Sequence, residues 1–326
     1  MPSRRRLGVA LIPDPPVRDE MEGLRMALGD PSLGRVVPHL TLVPPVNVRA
    51  GDLGPALAVL RAAASAQSGP LRLTAGPPAT FLPDNPVLFL QVGGEIERLR
   101  ELRDATFRPP LERALSWPWV PHFTLADGID ERRILSALDS LDRYAGVVEV
   151  DRVVMLEELR GRTWTPIADA RLGPPVVVGT GGLSVRITRG RIPDPLALEA
   201  IHEEEESGGF WLGWPDPAQP LAPMVLTAHR GTELVGTAAI RNGKSGPRAA
   251  VFVLREARDQ GVGGQLLARL ESDALDAGWD LRSVTGEGPA GFYESRSALI
   301  RPAEPASDRG SEPTTRTRRR RTGRAS

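Results

Sequence analysis

The sequence predicts an α+β protein built from two domains, and three observations favour this class. The chain has 326 residues, which is more than one hydrophobic core usually needs. Short apolar runs typical of strands alternate with segments whose apolar residues recur at helical spacing. One hexapeptide, at 38–43, recurs almost unchanged at 121–126, which indicates that the first domain is a duplicated, two-lobed unit.

Composition excludes several classes of function. Hydrophobic residues make up 40% of the chain and charged residues 25%, which is typical of a globular protein. The lack of cysteine excludes disulfides, thiolate catalysis and cysteine-ligated zinc or iron–sulfur sites. No apolar run approaches the length that spans a bilayer, and Pro13 interrupts the apolar stretch near the N-terminus. We therefore expect a cytoplasmic protein without a membrane partner.

The predicted elements of the first domain, residues 1–172, follow from two periodicities. Apolar runs predict four strands, at 7–12, 40–43, 87–92 and 147–155. Apolar residues at helical spacing predict three helices, at 53–66, 96–107 and 132–141. Asp130 stands where the N-cap of the third helix is expected. Glycine and proline then dominate residues 173–182, so we expect a linker there.

The second domain, residues 183–300, is predicted to be a mixed-sheet α/β unit. Its predicted strands lie at 185–188, 224–228, 234–240, 249–254 and 281–285, and its main helix at 263–277. The remaining residues, 301–326, carry eight arginines against three acidic residues. Such a charge-rich, apolar-poor segment is expected to be a disordered tail.

The repeated hexapeptide contains two of the four histidines, each followed two positions later by threonine. Residues i and i+2 of a strand share a face, so His39 is expected beside Thr41, and His122 beside Thr124, with the intervening apolar residues directed into the core. If the two lobes pack about a pseudo-twofold axis, both pairs converge on one cleft. One imidazole can then accept a proton while the other donates one, and the hydroxyls can bind phosphate oxygens, which suits phosphoryl chemistry.

On these motifs, residues 7–172 resemble the 2H phosphoesterase superfamily, the LigT-like proteins described as RNA 2',3'-cyclic phosphodiesterases or 2'-5' RNA ligases. The resemblance implies that His39 and His122 are the acid–base pair, that Thr41 and Thr124 bind phosphate, and that no metal is needed. It also implies a partner that is RNA or a nucleotide with a 2',3'-cyclic phosphate.

Other interpretations of these residues remain open. The two histidines could be ordinary strand residues, or they could hold a metal ion, although only Asp127 adjoins either motif as a further ligand. For Arg160, Arg162 and Trp164, contacts to phosphate and a stacked base compete with a solvated turn and a core tryptophan.

The second domain contains a glycine-rich turn between the strand predicted at 249–254 and the following helix. The turn reads Arg258, Asp259, Gln260, Gly261, Val262, Gly263, Gly264. Such a turn exposes backbone N–H groups at the positive end of a helix, where an anion can bind. No lysine follows the glycines, which excludes a P-loop, and the domain is too small for a dinucleotide fold.

This segment resembles the acetyl-CoA loop of GNAT acetyltransferases, whose pattern is Arg/Gln-x-x-Gly-x-Gly/Ala. The resemblance spans about residues 183–300 and implies that residues 258 and 260–264 bind acetyl-CoA. It also implies that Tyr293 protonates the CoA thiolate, while a core aromatic is the alternative role. The chain departs from the family pattern at 287–289 and 297–298, so acetyl-CoA binding is implied more directly than acetyl transfer.

Three function classes follow. The leading hypothesis is a bifunctional enzyme with a 2',3'-cyclic phosphoesterase domain and an acetyl-CoA-binding domain. The alternative is an N-acetyltransferase acting on an amine or a protein N-terminus, with the first domain only binding nucleotide. A third class is a non-catalytic RNA-binding protein that uses the arginine-rich tail.

Overall fold

The computed structural model describes residues 4–178, 184–205, 224–243 and 246–303. Within these ranges the chain forms two β-sheets, each covered by helices and each with its own main hydrophobic core. We refer to the two sheets with their helices as the first and second domains. The expected mixed α+β class is confirmed. No helix in the described ranges is long and apolar enough to span a membrane.

The first domain has eight strands and four helices among the described residues. The strands are β1 Arg4–Leu11, β2 Leu40–Arg49, β3 Leu71–Phe81, β4 Asn85–Gly94, β5 His122–Asp127, β6 Gly146–Val150, β7 Arg152–Glu158 and β8 Trp164–Arg171. The helices are α1 Val17–Leu28, α2 Leu53–Ser65, α3 Ile96–Thr106 and α4 Glu131–Ser140.

The strand order of the first sheet shows the duplication directly. The order is β6-β3-β4-β5-β2-β1-β7-β8, and every neighbouring pair in the first sheet is antiparallel. The two motif strands, β2 and β5, therefore lie side by side at the centre, with three strands of each lobe outside them. Each lobe also repeats the sequence strand, helix, motif strand, helix, namely β1-α1-β2-α2 and β4-α3-β5-α4.

Alternation of apolar residues fixes which face of the first sheet is covered by helices. On β1, Leu7, Val9 and Leu11 lie in the main core, whereas Gly8 and Ala10 point to the opposite face, as the strand period of two requires. We call that opposite face the cleft face. The helices are held by local signals as well, and Asp130 does cap α4 by accepting a hydrogen bond from the Arg132 N–H at 2.9 Å.

The second domain has a mixed sheet. Its described strands are β9 Val176–Val178, β10 Val185–Gly190, β11 Met224–Arg230, β12 Glu233–Gly243, β13 Gly246–Val253, β14 Thr285–Glu287 and β15 Arg301–Pro302. Its described helices are α5 Pro195–Glu205, α6 Val262–Asp276 and α7 Ala290–Arg296. The strands follow the order β15-β14-β13-β12-β11-β10-β9, with β14 parallel to both of its neighbours and the other pairs antiparallel.

Several sequence predictions need correction. The single strand predicted at 147–155 is two strands that break at Asp151. The chain crosses there from β6, at the outer edge of one lobe, to β7 in the other lobe. The strand predicted at 281–285 is a short 3-10 turn capped by Asp280, with a strand only from Thr285. Part of the predicted linker forms the edge strand β9, since three consecutive valines pair with β10.

The sequence prediction also missed elements that alternate weakly or are rich in proline and charge. Among them are α1, β3, β8 and α7. The predicted tail begins as a short strand at Arg301–Pro302, and its remaining residues from 304 onward lie outside the described ranges.

Candidate active site

The pairing of the two motif strands brings both His-x-Thr pairs to the centre of the cleft face. Leu40 of β2 pairs with Phe123 of β5. Because numbering runs in opposite directions in an antiparallel pair, this register sets His39 opposite Thr124 and Thr41 opposite His122. Side chains in such a pair have Cβ atoms about 4.5–5.5 Å apart when directly opposite and about 7–8 Å apart on the diagonal.

Each imidazole is held by the main chain of the loop that precedes it. The Nδ1 atom of His39 lies 2.8 Å from the Val37 carbonyl oxygen, and Nδ1 of His122 lies 2.7 Å from the Val120 carbonyl oxygen. A carbonyl oxygen can only accept, so Nδ1 must be the protonated nitrogen in both rings. Nε2 is then the atom that loses and gains a proton, and neither Nε2 has a hydrogen-bond partner in the described part of the chain.

Burial changes the acidity of both imidazoles in the same direction. Desolvation lowers the pKa of His39 below its ordinary value, although the hydrogen bond to Val37 opposes this shift. Desolvation also lowers the pKa of His122, again opposed by its carbonyl partner. The charge of His122 acts on His39 as well, so protonation of one ring disfavours protonation of the other.

The threonine hydroxyls are available to a ligand. Thr41 and Thr124 are half-buried, and within the described ranges no protein group is hydrogen-bonded to either hydroxyl. Leu40, Leu42 and Phe123, which alternate with them, are fully buried in the main core. The site thus offers two imidazole Nε2 atoms and two hydroxyl groups on one surface.

Arg25 supports the His39 lobe, and the sequence analysis missed it. Its side chain is buried at the end of α1 and donates to Asp30 at 2.9 Å, to Ser32 at 3.0 Å and to the Val36 carbonyl at 2.8 Å. These bonds fix the loop that leads into the motif. A signal did exist in the sequence, because Arg25 falls on the same helical face as the buried Met21.

Arg103 holds the corresponding place in the other lobe. Its guanidinium lies 3.7 Å from the ring centroid of Phe107 and 5.6 Å from that of Trp119. Trp119 in turn donates through Nε1 to the Thr41 carbonyl oxygen at 2.9 Å. The loop before His122 is therefore tied to the motif strand of the opposite lobe.

The two lobes differ beside their histidines. Next to His122, the rings of Phe81 and Phe89 fill the cleft face, with centroids 5.3 and 5.2 Å from the imidazole. Next to His39, the corresponding strand carries Gly8 and Ala10, and a cavity of about 120 Å³ remains. Ligand groups larger than phosphate therefore have more room on the His39 side.

Three residues with open roles can now be located. Trp164 is half-buried and lines the cavity beside His39, so it is in reach of a ligand. Arg160 and Arg162 are exposed in a 3-10 turn, as expected for a solvated turn.

The glycine-rich turn of the second domain opens into a separate cavity of about 480 Å³. Asp259 and Gly261 both have left-handed backbone, with φ of 59° and 79°, and α6 begins at the next residue, Val262. Alternating left-handed residues next to a helix N-terminus create a concave array of N–H groups. Arg258, Gly261, Gly263, Gly264 and Tyr293 are among the lining residues.

The side chains of two further predicted binding residues have other roles. Val262 is buried in the core of the second domain. Gln260 accepts from Arg230 at 2.6 Å and donates to the Glu256 carbonyl at 2.9 Å. Only their main-chain N–H groups are left for a ligand.

Tyr293 is almost completely buried, at 1% exposure. Its hydroxyl lies 3.1 Å from the Ala249 carbonyl and 3.0 Å from the Glu287 carbonyl, and it donates to these oxygens. Burial, followed by the charge of Glu287, raises the pKa of Tyr293. The phenol therefore stays protonated near neutral pH, with its proton directed to main-chain oxygens as the structural role requires. The acid role stays a prediction.

No group of three or more His, Cys, Asp or Glu side chains in the described ranges is arranged to hold a metal ion. The expectation that the cleft works without a metal stays a prediction.

The first domain is similar to known proteins over most of its length. Residues 13–162 match the profile of the 2'-5' RNA ligase superfamily. Roughly the first 160 residues are therefore similar to the 2H phosphoesterase, or LigT-like 2'-5' RNA ligase, superfamily, and this similarity supports enzyme status for this part of the chain.

Individual relatives are similar to this chain over about half of its length. A Bacillus pumilus protein that carries a phosphoesterase name is 28% identical over 162 residues, which cover 49% of this chain and 93% of the relative. A Staphylococcus haemolyticus protein with the same kind of name is 26% identical over 47% of this chain and 86% of its own length. The crystal structure of E. coli LigT complexed with 3'-AMP is 20% identical, with a TM-score of 0.38, and the likeness covers 52% of this chain and 99% of LigT.

Proposed function

We propose that the first domain opens 2',3'-cyclic phosphates, at RNA ends or in nucleotides, with His39 and His122 as the acid–base pair. The proposal is carried by one observation. Two imidazoles on neighbouring central strands both have Nδ1 committed to a carbonyl and Nε2 directed away from it, and each stands opposite the threonine of the other motif.

The geometry accounts for a balanced hydrolysis. One neutral imidazole accepts a proton from water at Nε2 as the water oxygen bonds to phosphorus. One P–O bond of the cyclic phosphate breaks, and the other imidazole, protonated, donates its Nε2 proton to the departing ribose oxygen. The products are a phosphomonoester and a free ribose hydroxyl. Thr41 and Thr124 donate to the non-bridging oxygens, where negative charge accumulates.

Turnover by the purified full-length chain tests this proposal. The substrates are the 2',3'-cyclic mononucleotides and short RNAs ending in a 2',3'-cyclic phosphate, and the position of the product phosphate is read by phosphorus NMR. We expect a single phosphomonoester isomer, because the fixed lobes present one ribose oxygen to the acid. Absence of turnover on the whole panel would contradict the proposal.

The threonine hydroxyls give a first testable prediction. Thr41→Val and Thr124→Val keep the shape of the side chain and remove the donor, so each is expected to lower kcat/KM by about 10- to 100-fold, as for loss of a hydrogen bond to a charged group. Thr41→Ser and Thr124→Ser retain the hydroxyl and serve as matched controls, with activity close to that of the parent chain. Equal losses in the valine and serine variants would mean that packing of the methyl group is what matters.

For the second domain we propose acetyl-CoA binding at the turn formed by residues 258–264. A Cβ built on Gly263 would lie 3.3 Å from the Phe292 ring and 3.4 Å from Val253, so a side chain at this position would force these neighbours to shift, whereas glycine lets the turn fit closely against them. The N–H groups around Gly261 and the guanidinium of Arg258 are suited to bind phosphate groups. When bound, acetyl-CoA would supply an acetyl thioester.

Arg258 already has an anionic partner in this cavity, and this yields a second prediction. The Glu204 carboxylate, at the end of α5, pairs with Arg258 and accepts from the Arg255 N–H at 2.9 Å. A phosphate ligand must compete with Glu204 for the guanidinium. Glu204→Gln is therefore expected to tighten acetyl-CoA binding by about two- to fivefold, the scale of a partly exposed ion pair.

Isothermal calorimetry with the full-length chain measures this change. Glu203→Gln is the matched control, because it removes the same charge from the neighbouring exposed position of α5. Weaker binding after Glu204→Gln would show that the carboxylate shapes the site for the ligand.

A further inference from the structure

The segment of the second domain between β10 and α5 packs onto the cleft face of the first domain. The main-chain N–H groups of Arg191 and Ile192 donate to the Asp169 carboxylate of β8 at 2.9 and 2.8 Å. A Cβ at position 190 would lie 2.5 Å from Asp169 Oδ1, so this approach requires Gly190. The contact is thus built by a glycine on one domain and a buried carboxylate on the other.

Ion pairs within the first domain and between the two domains reinforce this contact. Asp169 is also paired with Arg152 at 2.8 Å within the first domain. Arg191 reaches Asp14 at 3.4 Å, and Asp194 pairs with Arg61 of α2. The segment is therefore anchored to three places in the first domain.

The side chain of Ile192, in the anchored segment, packs against the cleft face of the first domain. It lies in a small buried cluster with Ala10, Val154 and Leu156, and Trp164 packs against that cluster. We call these four residues with Trp164 the cleft wall. Ala10, Leu156 and Trp164 also line the cavity beside His39, so Ile192 packs in the same cluster as residues that a ligand would touch.

The position of the cleft wall follows from strand alternation. On β7, Val153 and Met155 lie in the main core, whereas Val154 and Leu156 lie on the cleft face. Val154 pairs with Asp169, so the carboxylate that holds the second domain shares this face. The second domain therefore covers the outer end of the cleft face in the His39 lobe.

We propose that Ile192 of the second domain is a positioning residue for the phosphoesterase site, holding Trp164, Leu156 and Ala10 in place as the ligand-facing wall beside His39. This inference rests on the function proposed above for the first domain. The histidines are anchored separately, through Val37 and Val120. Loss of the Ile192 side chain should therefore loosen substrate binding and leave the acid–base pair intact.

The test compares Ile192 variants of the full-length chain in two assays. Turnover of adenosine 2',3'-cyclic monophosphate gives KM and kcat, and calorimetry gives Kd for adenosine 3'-monophosphate as a non-reacting probe. For Ile192→Ala we expect KM and Kd to rise about fivefold or more, with kcat within about twofold of the parent chain. Ile192→Val, which removes one methyl group, should give an intermediate rise.

Ile201→Ala is the matched control. Ile201 is also buried in the second domain, but its cluster contains Val225, Ala239 and Ala250 and none of the wall. Its KM and Kd should not change. A rise as large as that of Ile192→Ala would overturn the inference, because general loosening of the second domain would then explain both.

The remaining outcomes separate this inference from the proposed function. If His39→Ala abolishes turnover but Ile192→Ala has parental KM and Kd, the inference alone fails. If His39→Ala retains turnover, the proposed function fails, and the Kd measurement still tests the wall. If Ile192→Ala does not fold, Ile192→Val decides, and an unchanged KM and Kd in that variant overturn the inference.

Discussion

Replacement of either motif histidine by alanine is expected to lower kcat on a 2',3'-cyclic phosphate by about 10²- to 10⁴-fold, the usual range for loss of a general acid or base. The reason is the position of the Nε2 atom in each imidazole. Each Nε2 is the free nitrogen of a ring whose Nδ1 is fixed to a carbonyl oxygen, and no other imidazole in the two motifs can replace it. His39→Ala and His122→Ala are measured separately by single-turnover kinetics.

The double variant sharpens this expectation. Because the two rings act in one concerted step, His39→Ala combined with His122→Ala should lose little more than either single variant. The circular dichroism melting curves should stay close to that of the parent chain, since both side chains are only half-buried. Full turnover in either single variant would refute the assignment of the pair.

The pH dependence follows from the same pair. Turnover needs one protonated and one neutral ring, so kcat/KM should be bell-shaped in pH. Desolvation lowers the pKa of both His39 and His122, and the protonated partner is therefore lost at lower pH than for solvated imidazoles. The optimum of kcat/KM should lie to the acid side of that of a solvated pair, and the optimum of kcat should lie higher because bound phosphate favours the imidazolium form.

Gly263→Val is expected to weaken acetyl-CoA binding by about tenfold or more, which is about 1.4 kcal/mol. A single Cβ at this position would already press on Phe292 and Val253, and Gly263 lines the proposed acetyl-CoA cavity. The two further methyl groups of valine must therefore either displace these neighbours, and with them the turn and its N–H groups, or enter the space that the ligand needs. Calorimetry on the full-length chain measures the change in Kd.

Gly291→Val is the matched control for this substitution. It makes the same change in the second domain, at a position where nothing lies within 4 Å of the added Cβ. Its acetyl-CoA affinity should equal that of the parent chain. Parental affinity in Gly263→Val as well would mean that the turn does not hold the ligand.

Local patterns in the sequence were sufficient to predict which motif residues share a strand face. Alternation along a strand depends only on the period of the backbone, so the shared face of His39 with Thr41, and of His122 with Thr124, could be predicted before the fold was known. The N-cap at Asp130 could be predicted for the same reason, since a cap involves residues two positions apart.

Weaker local patterns misled the prediction where one apolar run served two elements. Six of the nine residues in 147–155 are apolar, and the sequence alone does not show that Asp151 separates a strand of one lobe from a strand of the other. Strand membership depends on which partner pairs with the backbone, and that partner lies far away in the chain.

The sequence by itself determined that each motif histidine shares a strand face with the threonine of its own motif, because that requires only the two-residue period of a strand. Only the tertiary structure decided that His39 stands opposite Thr124, that both Nδ1 atoms are bound, and that the cleft is open beside Gly8 and filled beside Phe89. The tertiary structure also decided that Ile192, distant in sequence from Ala10, packs in one cluster with residues that line the cavity beside His39. These features depend on contacts between distant segments, and such contacts are set by how whole sheets pack.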